Sequence, residues 1–322
     1  MIYSVRHTTT FSYQPAVRES VMEVRMQPRS DGFQHCLTFQ LDVSPAASIM
    51  QYRDFMGNTV HHFDIAGNHT QVKVTAESTV EVDAAPVPRP GDSGDWRDLD
   101  RLVATEDHWE MLLPSQFAKT SNRLQALALQ LRCQRRDTPL QVLIELTQAI
   151  YESFDYVKNS TKVDSPIDDA LRTRQGVCQD FAHIMIALVR PLNVPCRYVS
   201  GYMFHPSEAE AGETQYRSLE GASHAWVEAL MPDLGWVAFD PTNNLIGADR
   251  HIRVAIGRDY SDVPPTRGVH KGEAESQLSV AVTVSPSDAP PPEHVAPTVV
   301  IQSRPTSRRS SRIDHEQQQQ QQ

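Results

Sequence analysis

Three side chains sit where nucleophilic chemistry could be built: Cys178, His224 and Asp240. Cys178 follows the turn-prone Gln175-Gly176-Val177 and leads an apolar run that continues to Val189. Phe181, Ile184, Met185 and Leu188 keep three-four spacing, and Ala182, Ile186 and Val189 fill most of the other side. The run therefore predicts a helix that is apolar nearly all round, which belongs in a core. Pro191 stops it. Cys178 then lies in the first turn, where free backbone N–H groups and the positive end of the dipole favour a thiolate. A free cysteine more often packs as a small, inert hydrophobe. What sets this one apart must come from its partners.

His224 opens the run Ala225-Trp226-Val227-Glu228-Ala229-Leu230, which predicts a strand with Ala225, Val227 and Ala229 on one side. Pro232-Asp233-Leu234-Gly235 reads as a turn. Trp236 to Asp240 returns as the partner strand and ends before Pro241. His224 and Asp240 then fall close to opposite each other, and directly paired residues have Cβ atoms about 4.5–5.5 Å apart. A carboxylate placed there accepts a hydrogen bond from one imidazole nitrogen, fixes the tautomer and leaves the other nitrogen for Cys178. Nucleophile, base and orienter in this arrangement are the thiol form of acyl-transfer catalysis.

The elements that must hold these groups can be read around them. Residues 2 to about 83 are β-patterned. Tyr3, Val5, His7, Thr9, Phe11 and Tyr13 share one parity, as do His35, Leu37, Phe39, Leu41 and Val43, and Val72, Val74, Ala76, Val80 and Val82. Asp31-Gly32, Gly57-Asn58 and Gly67-Asn68 suggest hairpins between them. A Pro/Gly/Ser-rich linker follows, then helices: Asn122 to Arg132, one capped by Thr138-Pro139, and a short one started by Ser165-Pro166. Cys196 to Phe204 reads as a strand, 205–221 as a polar lid-like loop, and Gln277 to Val284 as a last strand. The expected division is a β-rich domain at 1–85, a linker at 86–97, a catalytic domain at 98–284 and a disordered tail at 285–322, where Pro, Ser, Arg and Gln dominate.

Composition narrows the function classes. At 322 residues the chain has room for two cores. A net charge of −10 argues against a nucleic-acid binder. No run of about 18 apolar residues predicts a membrane span, and Met1 to His7 do not open a signal peptide. Four cysteines are too few for a disulfide scaffold, so a cytoplasmic setting is expected. His7, His35, His61, His62 and His69 are scattered over several strands without ligand spacing, and no acidic loop suggests calcium. Neither a metal nor a cofactor is expected.

Four segments in order resemble a known family: Gly176-Val177-Cys178-Gln179-Asp180-Phe181-Ala182, Pro195-Cys196-Arg197-Tyr198-Val199-Ser200-Gly201-Tyr202, Ser223-His224-Ala225-Trp226-Val227-Glu228, and Gly235-Trp236-Val237-Ala238-Phe239-Asp240-Pro241-Thr242. Together they look like the bacterial transglutaminase-like superfamily, whose core is a papain-like cysteine-protease fold. Tyr3, Phe11, Tyr13 and Asp54-Phe55-Met56-Gly57-Asn58 resemble the N-terminal domain that often precedes it. The resemblance implies an α+β chain: a β-sandwich-like domain, then a core with a central helix on an antiparallel sheet. It maps the catalytic residues onto Cys178, His224 and Asp240. It implies a thioester route on peptide or glutaminyl amides, with water or an amine as acceptor; hydrolysis is favoured over cross-linking because the polar loop 205–221 suggests no dry amine tunnel. The Cys178 N–H is an expected oxyanion donor. Tyr156, Gln175, Asp180 and Trp226 are candidate substrate contacts, with core or capping roles as the competing reading for the last two. The rival class is a non-catalytic module that keeps the fold for binding.

Overall fold

Two long strands carry the first domain: β1 (Ile2–Val24) and β4 (Thr59–Val82). The computed structural model describes residues 1–83, 87–105, 108–206, 216–218, 221–247 and 250–287. Between the long strands come β2 (Gln34–Ser44) and β3 (Ile49–Arg53), which pair with the two halves of β4. β1 runs antiparallel to β4 from Ile2↔Glu81 to Ser12↔Gln71, slips, and resumes to Val24↔His61. The parity read from Tyr3 to Tyr13 holds, and all six residues are buried. In β2 the register shifts between Cys36 and Thr38, so Cys36 and Phe39 face inward and His35 faces solvent. Gly67-Asn68 is no hairpin. It lies within β4 where the pairing to β1 is irregular, and Gly67 takes φ +89° there at no steric cost. Met22, Val24, Phe63 and Ile65 from one half of the sheet share a buried cluster with Phe11, Phe39, Val72 and Val74 from the other, which gives the sandwich-like core.

The helices follow: α1 (Trp96–Thr105), α2 (Asn122–Gln130), α3 (Pro139–Ser153), α4 (Ile167–Thr173) and α5 (Cys178–Val189). Ser121 caps α2 through the Leu124 N–H at 3.2 Å, and Thr138 caps α3 through the Gln141 N–H at 3.2 Å. Ser165 does not cap α4; its hydroxyl takes the Lys162 N–H instead, and the helix begins after Pro166. Two short parallel strands, β5 (Asp155–Tyr156) and β6 (Gln175–Gly176), brace the entry to α5. Helix α5 is buried from Gln179 onward. Phe181, Ile184, Met185 and Leu188 are each nearly inaccessible, and each such side chain stabilises the fold by about 1.5–3 kcal/mol.

Helix α5 packs on β7 (Cys196–Met203) and β8 (His224–Met231). With β9 (Gly235–Asp240), β10 (Leu245–Ile246) and β11 (His251–Gly257) these form a sheet in the order β10-β9-β8-β7-β11. The chain then returns to the first domain. β12 (Thr266–Lys271) pairs with the second half of β1, and β13 (Glu275–Pro286) pairs with the first half from Tyr3↔Pro286 to Gln14↔Glu275. The sequence groups these residues with the second unit; the ladder places them in the first sheet. The expected tail overlaps β13 at Ser285 and Pro286, and 288–322 lie outside the described residues, as do 84–85 of the expected first domain, 86 of the expected linker, and 207–215 and 219–220 of the expected loop.

Candidate active site

Helix α5 begins directly at Cys178, and Asp180 fixes that start. Its Oδ2 accepts the Val177 N–H at 2.9 Å and the Thr161 hydroxyl at 2.5 Å. Burial pushes the Asp180 carboxyl up to about 6 against the opposing pull of those two bonds. A Cβ at Gly176 would lie 3.0 Å from Asp180 and Phe181, a tight fit, so glycine lets these side chains pack closely on the turn. Asp180 therefore supports the turn that carries the sulfur.

The hairpin of β8 and β9 pairs Val227 with Phe239 and Met231 with Gly235. Asp240 thus falls at the level of Trp226, and His224 lies diagonally beyond it rather than directly opposite. The diagonal is bridged: His224 Nε2 and Asp240 Oδ2 are 2.8 Å apart, with both side chains almost wholly buried. Asp240 Oδ1 accepts the backbone N–H groups of Thr242 at 2.9 Å and Asn243 at 3.2 Å. Oδ2 also meets Asn243 Nδ2 at 2.8 Å and His251 Nε2 at 3.1 Å. Burial alone would raise the Asp240 carboxyl, but His224 and His251 hold it well below the usual carboxylate range. Burial likewise works against a charged His224, yet Asp240 and then Cys178 raise the ring to about 10. His224 Nδ1 makes no hydrogen bond of ordinary length, and the Cys178 sulfur is close enough to favour a proton there. Loose contacts of this kind are common before substrate binds.

Cys178 and His224 line one cavity of about 130 Å³, together with Tyr156, Tyr198, Ser200 and Tyr260. Pro265 and Val280 complete its wall, so the strand returned to the first sheet borders the site. Burial, Cys178 and Asp180 all raise Tyr156, and burial and Cys178 raise Tyr198; both phenols keep their protons.

The structure brings Cys178, His224, Asp240 and Tyr156 together. It does not bring Gln175, Asp180 or Trp226 to the cavity wall. Gln175 is exposed in β6. Trp226 is fully buried among Val199, Ala238 and Ile256, with its ring 6.0 Å from the His224 imidazole and nearly parallel to it. Tyr198, which the sequence leaves ambiguous between cleft wall and core, lines the cavity; Asn243 lies just past the last resembling segment, and His251 carries no sequence signal, because only the pairing of β11 with β7 places it here. His224, Asp240 and His251 are also the one group of three ligand-type side chains found among the described residues, with their atoms within 4.8 Å. The carboxylate bonds already described engage those atoms. Three of the first-domain histidines have other neighbours: His7 meets Tyr202, His69 meets Ser20, and His61 stacks on Phe39.

A partly exposed thiol at a helix start, beside a histidine–carboxylate pair on an antiparallel sheet, defines the papain-like class of folds. Residues 3–81 match the bacterial transglutaminase-like N-terminal region, and residues 127–241 match the transglutaminase-like superfamily. An uncharacterized protein of Mycobacterium leprae is 32% identical over 282 residues, covering 87% of this chain and 97% of that protein. The chain belongs to the transglutaminase-like superfamily. A protein-glutamine gamma-glutamyltransferase of Pseudomonas aeruginosa is 32% identical over 123 residues, 37% of this chain and 18% of that protein. The fold is that of a crystal structure described as a "putative cysteine protease" from Cytophaga hutchinsonii, with TM-score 0.69, 24% identity, and coverage of 90% and 93% of the two chains. Among the described residues no helix is long and apolar enough to cross a membrane.

Proposed function

We propose that the protein is a cysteine-dependent acyl-transfer enzyme acting on peptide or glutaminyl amide bonds. The carrying observation is the buried 2.8 Å contact of His224 with Asp240 beside the cavity that exposes Cys178. In this reading the Cys178 thiolate attacks the amide carbon. The oxyanion meets the Cys178 N–H, a first-turn donor with no intrahelical partner, and the Tyr156 hydroxyl. A donor of this kind is worth about 3 kcal/mol in the transition state. The His224 imidazolium gives its Nδ1 proton to the departing ammonia or amine, and a thioester remains. Water then attacks, His224 takes its proton, and the acid leaves as the thiol is restored. Water is the favoured acceptor because it needs no second binding site. All four cysteines are free, which suits a cytoplasmic setting.

Ammonia release from glutaminyl and γ-glutamyl peptides, with and without added amine, tests the reading. Wild-type protein should release ammonia, and Cys178→Ala should release none while melting at the same temperature. Full activity in that variant would refute the assignment and leave a binding module as the better account.

A further inference from the structure

Asp240 is shared between two imidazoles, and the mechanism above uses only one. His251 Nε2 lies 3.1 Å from the same Oδ2 that holds His224 Nε2 at 2.8 Å and Asn243 Nδ2 at 2.8 Å. His251 comes from β11, at the far edge of the sheet from β9, and pairs with Met203 of β7. It is 2% exposed. Its ring is fixed by Trp226, whose ring lies 4.8 Å away at 61°, and by the His224 ring at 5.8 Å. Two lone pairs would repel at the Nε2–Oδ2 separation, so His251 must carry its proton on Nε2 and donate it.

We infer that His251 is a positioning residue for the acyl-transfer site: its Nε2–H, donated to Asp240, sets how strongly that carboxylate grips His224 and so how acid the imidazolium is. This rests on the proposed acyl-transfer reading. A carboxylate oxygen divides its basicity among the donors it serves. With one donor removed, its bond to His224 strengthens, and the ring releases its second proton less readily. The groups facing His251 are Asp240 and Asn243 beyond β9, His224 from β8, and, across a seam cavity of about 140 Å³, Asp83, Glu228 and Arg253. Glu228 is paired with Arg197 at 2.6 Å and Arg253 with Asp31 at 2.8 Å, so those charges are largely balanced locally. His251 does not line the substrate cavity, so its effect should fall on proton transfer rather than on substrate binding.

The test follows Cys178 alkylation by iodoacetamide against pH in the full chain, which needs no substrate. Wild type should show a thiolate plateau ended by an upper limb that reports loss of the His224 proton. His251→Phe keeps a ring but no donor, and should move that limb up by about half a pH unit or more. His251→Gln keeps a donor and should restore the wild-type profile. Superimposable profiles for all three proteins, or equal shifts in both variants, would overturn the inference. If His251→Phe does not fold, the imidazole nitrogen spectrum of the wild type decides: a proton on His251 Nε2 supports the inference, and a proton on Nδ1 alone overturns it. A wild-type Cys178 with one limb, at the position of an ordinary thiol, would defeat the acyl-transfer reading itself and is distinguishable from either result.

Discussion

The indole of Trp226 lies nearly parallel to the His224 imidazole, with ring centroids 6.0 Å apart and planes at 26°. The two residues are successive on the same side of β8, and the larger ring backs the smaller. Trp226 also fills the gap between Val199, Ala238 and Ile256. A ring packed this way limits the swing of the His224 imidazole from outside the cavity. Trp226→Ala should cost about 3–5 kcal/mol through the cavity it leaves. Trp226→Phe should cost less, because the buried Trp226 Nε1 has no partner to lose, and about 1.5 kcal/mol is a reasonable ceiling for such a swap. Denaturant melts of the two variants check this. Equal losses would mean that the indole N–H matters in a way its contacts do not show.

The His224–Asp240 pair should make stability depend on pH from both sides. His224 is raised from 6.5 to about 10. Its contribution is complete below pH 6.5 and is lost as pH climbs toward 10. Asp240 is depressed, so its contribution is complete above the unfolded carboxylate range and fades as pH falls below it. The melting-temperature gap between wild type and His224→Gln should therefore close between pH 6.5 and 10. A gap that is constant over that window would remove the ion pair from the account.

Asp180 should behave with the opposite sign to Asp240. Its carboxyl is raised from 3.8 to about 6 by burial, so the fold prefers it protonated. Wild type should lose stability relative to Asp180→Asn as pH rises through that window, on the order of 2–3 kcal/mol. The variant keeps an oxygen for the Val177 N–H, so Cys178 should still be alkylated. Loss of alkylation in a folded variant would give Asp180 a chemical role beyond holding the turn.

How much of this was legible in the sequence depends on the range over which each feature is decided. The α5 helix was readable because Phe181, Ile184, Met185 and Leu188 fix its period locally, and Gly176 and Pro191 punctuate it. Inward parity in β1 was readable for the same reason. Parity in β2 holds from Phe39 to Val43 but fails at His35, because the one-residue register slip between Cys36 and Thr38 leaves no mark in composition. Gly67-Asn68 looked like a hairpin since the same dipeptide serves a turn and an irregular strand pairing equally well. The fold of the second domain came through its four ordered segments. The placement of His251 could not, since it depends on β11 pairing with β7 some fifty residues away in the chain. Trp226 and Asp180 lie next to His224 and Cys178 in the sequence, but whether a residue lines a cavity or lies behind it is settled by side-chain direction, which spacing does not give.

The return of β13 to the first sheet has a consequence for activity. Val282 N–H donates to the Gly221 carbonyl at 3.0 Å, and Gly221, Ala222 and Ser223 line the cavity just before His224. The strand that completes the first sheet therefore tethers the segment leading into His224. The Val282 N–H is spent on Gly221 and not on β1, so proline can replace it without removing a bond of the β1 ladder. Val282→Pro should keep the fold but lose stability on two counts: a hydrogen bond worth about 1 kcal/mol and the packing of a buried valine side chain, about 1–3 kcal/mol more. Activity should fall about tenfold, the equivalent of one such tether lost in the transition state, even though every proposed catalytic group lies elsewhere. The measurement is kcat/KM beside the melting temperature. Unchanged kcat/KM would show that residues 221–223 are held by the core alone and that β13 only walls the cavity.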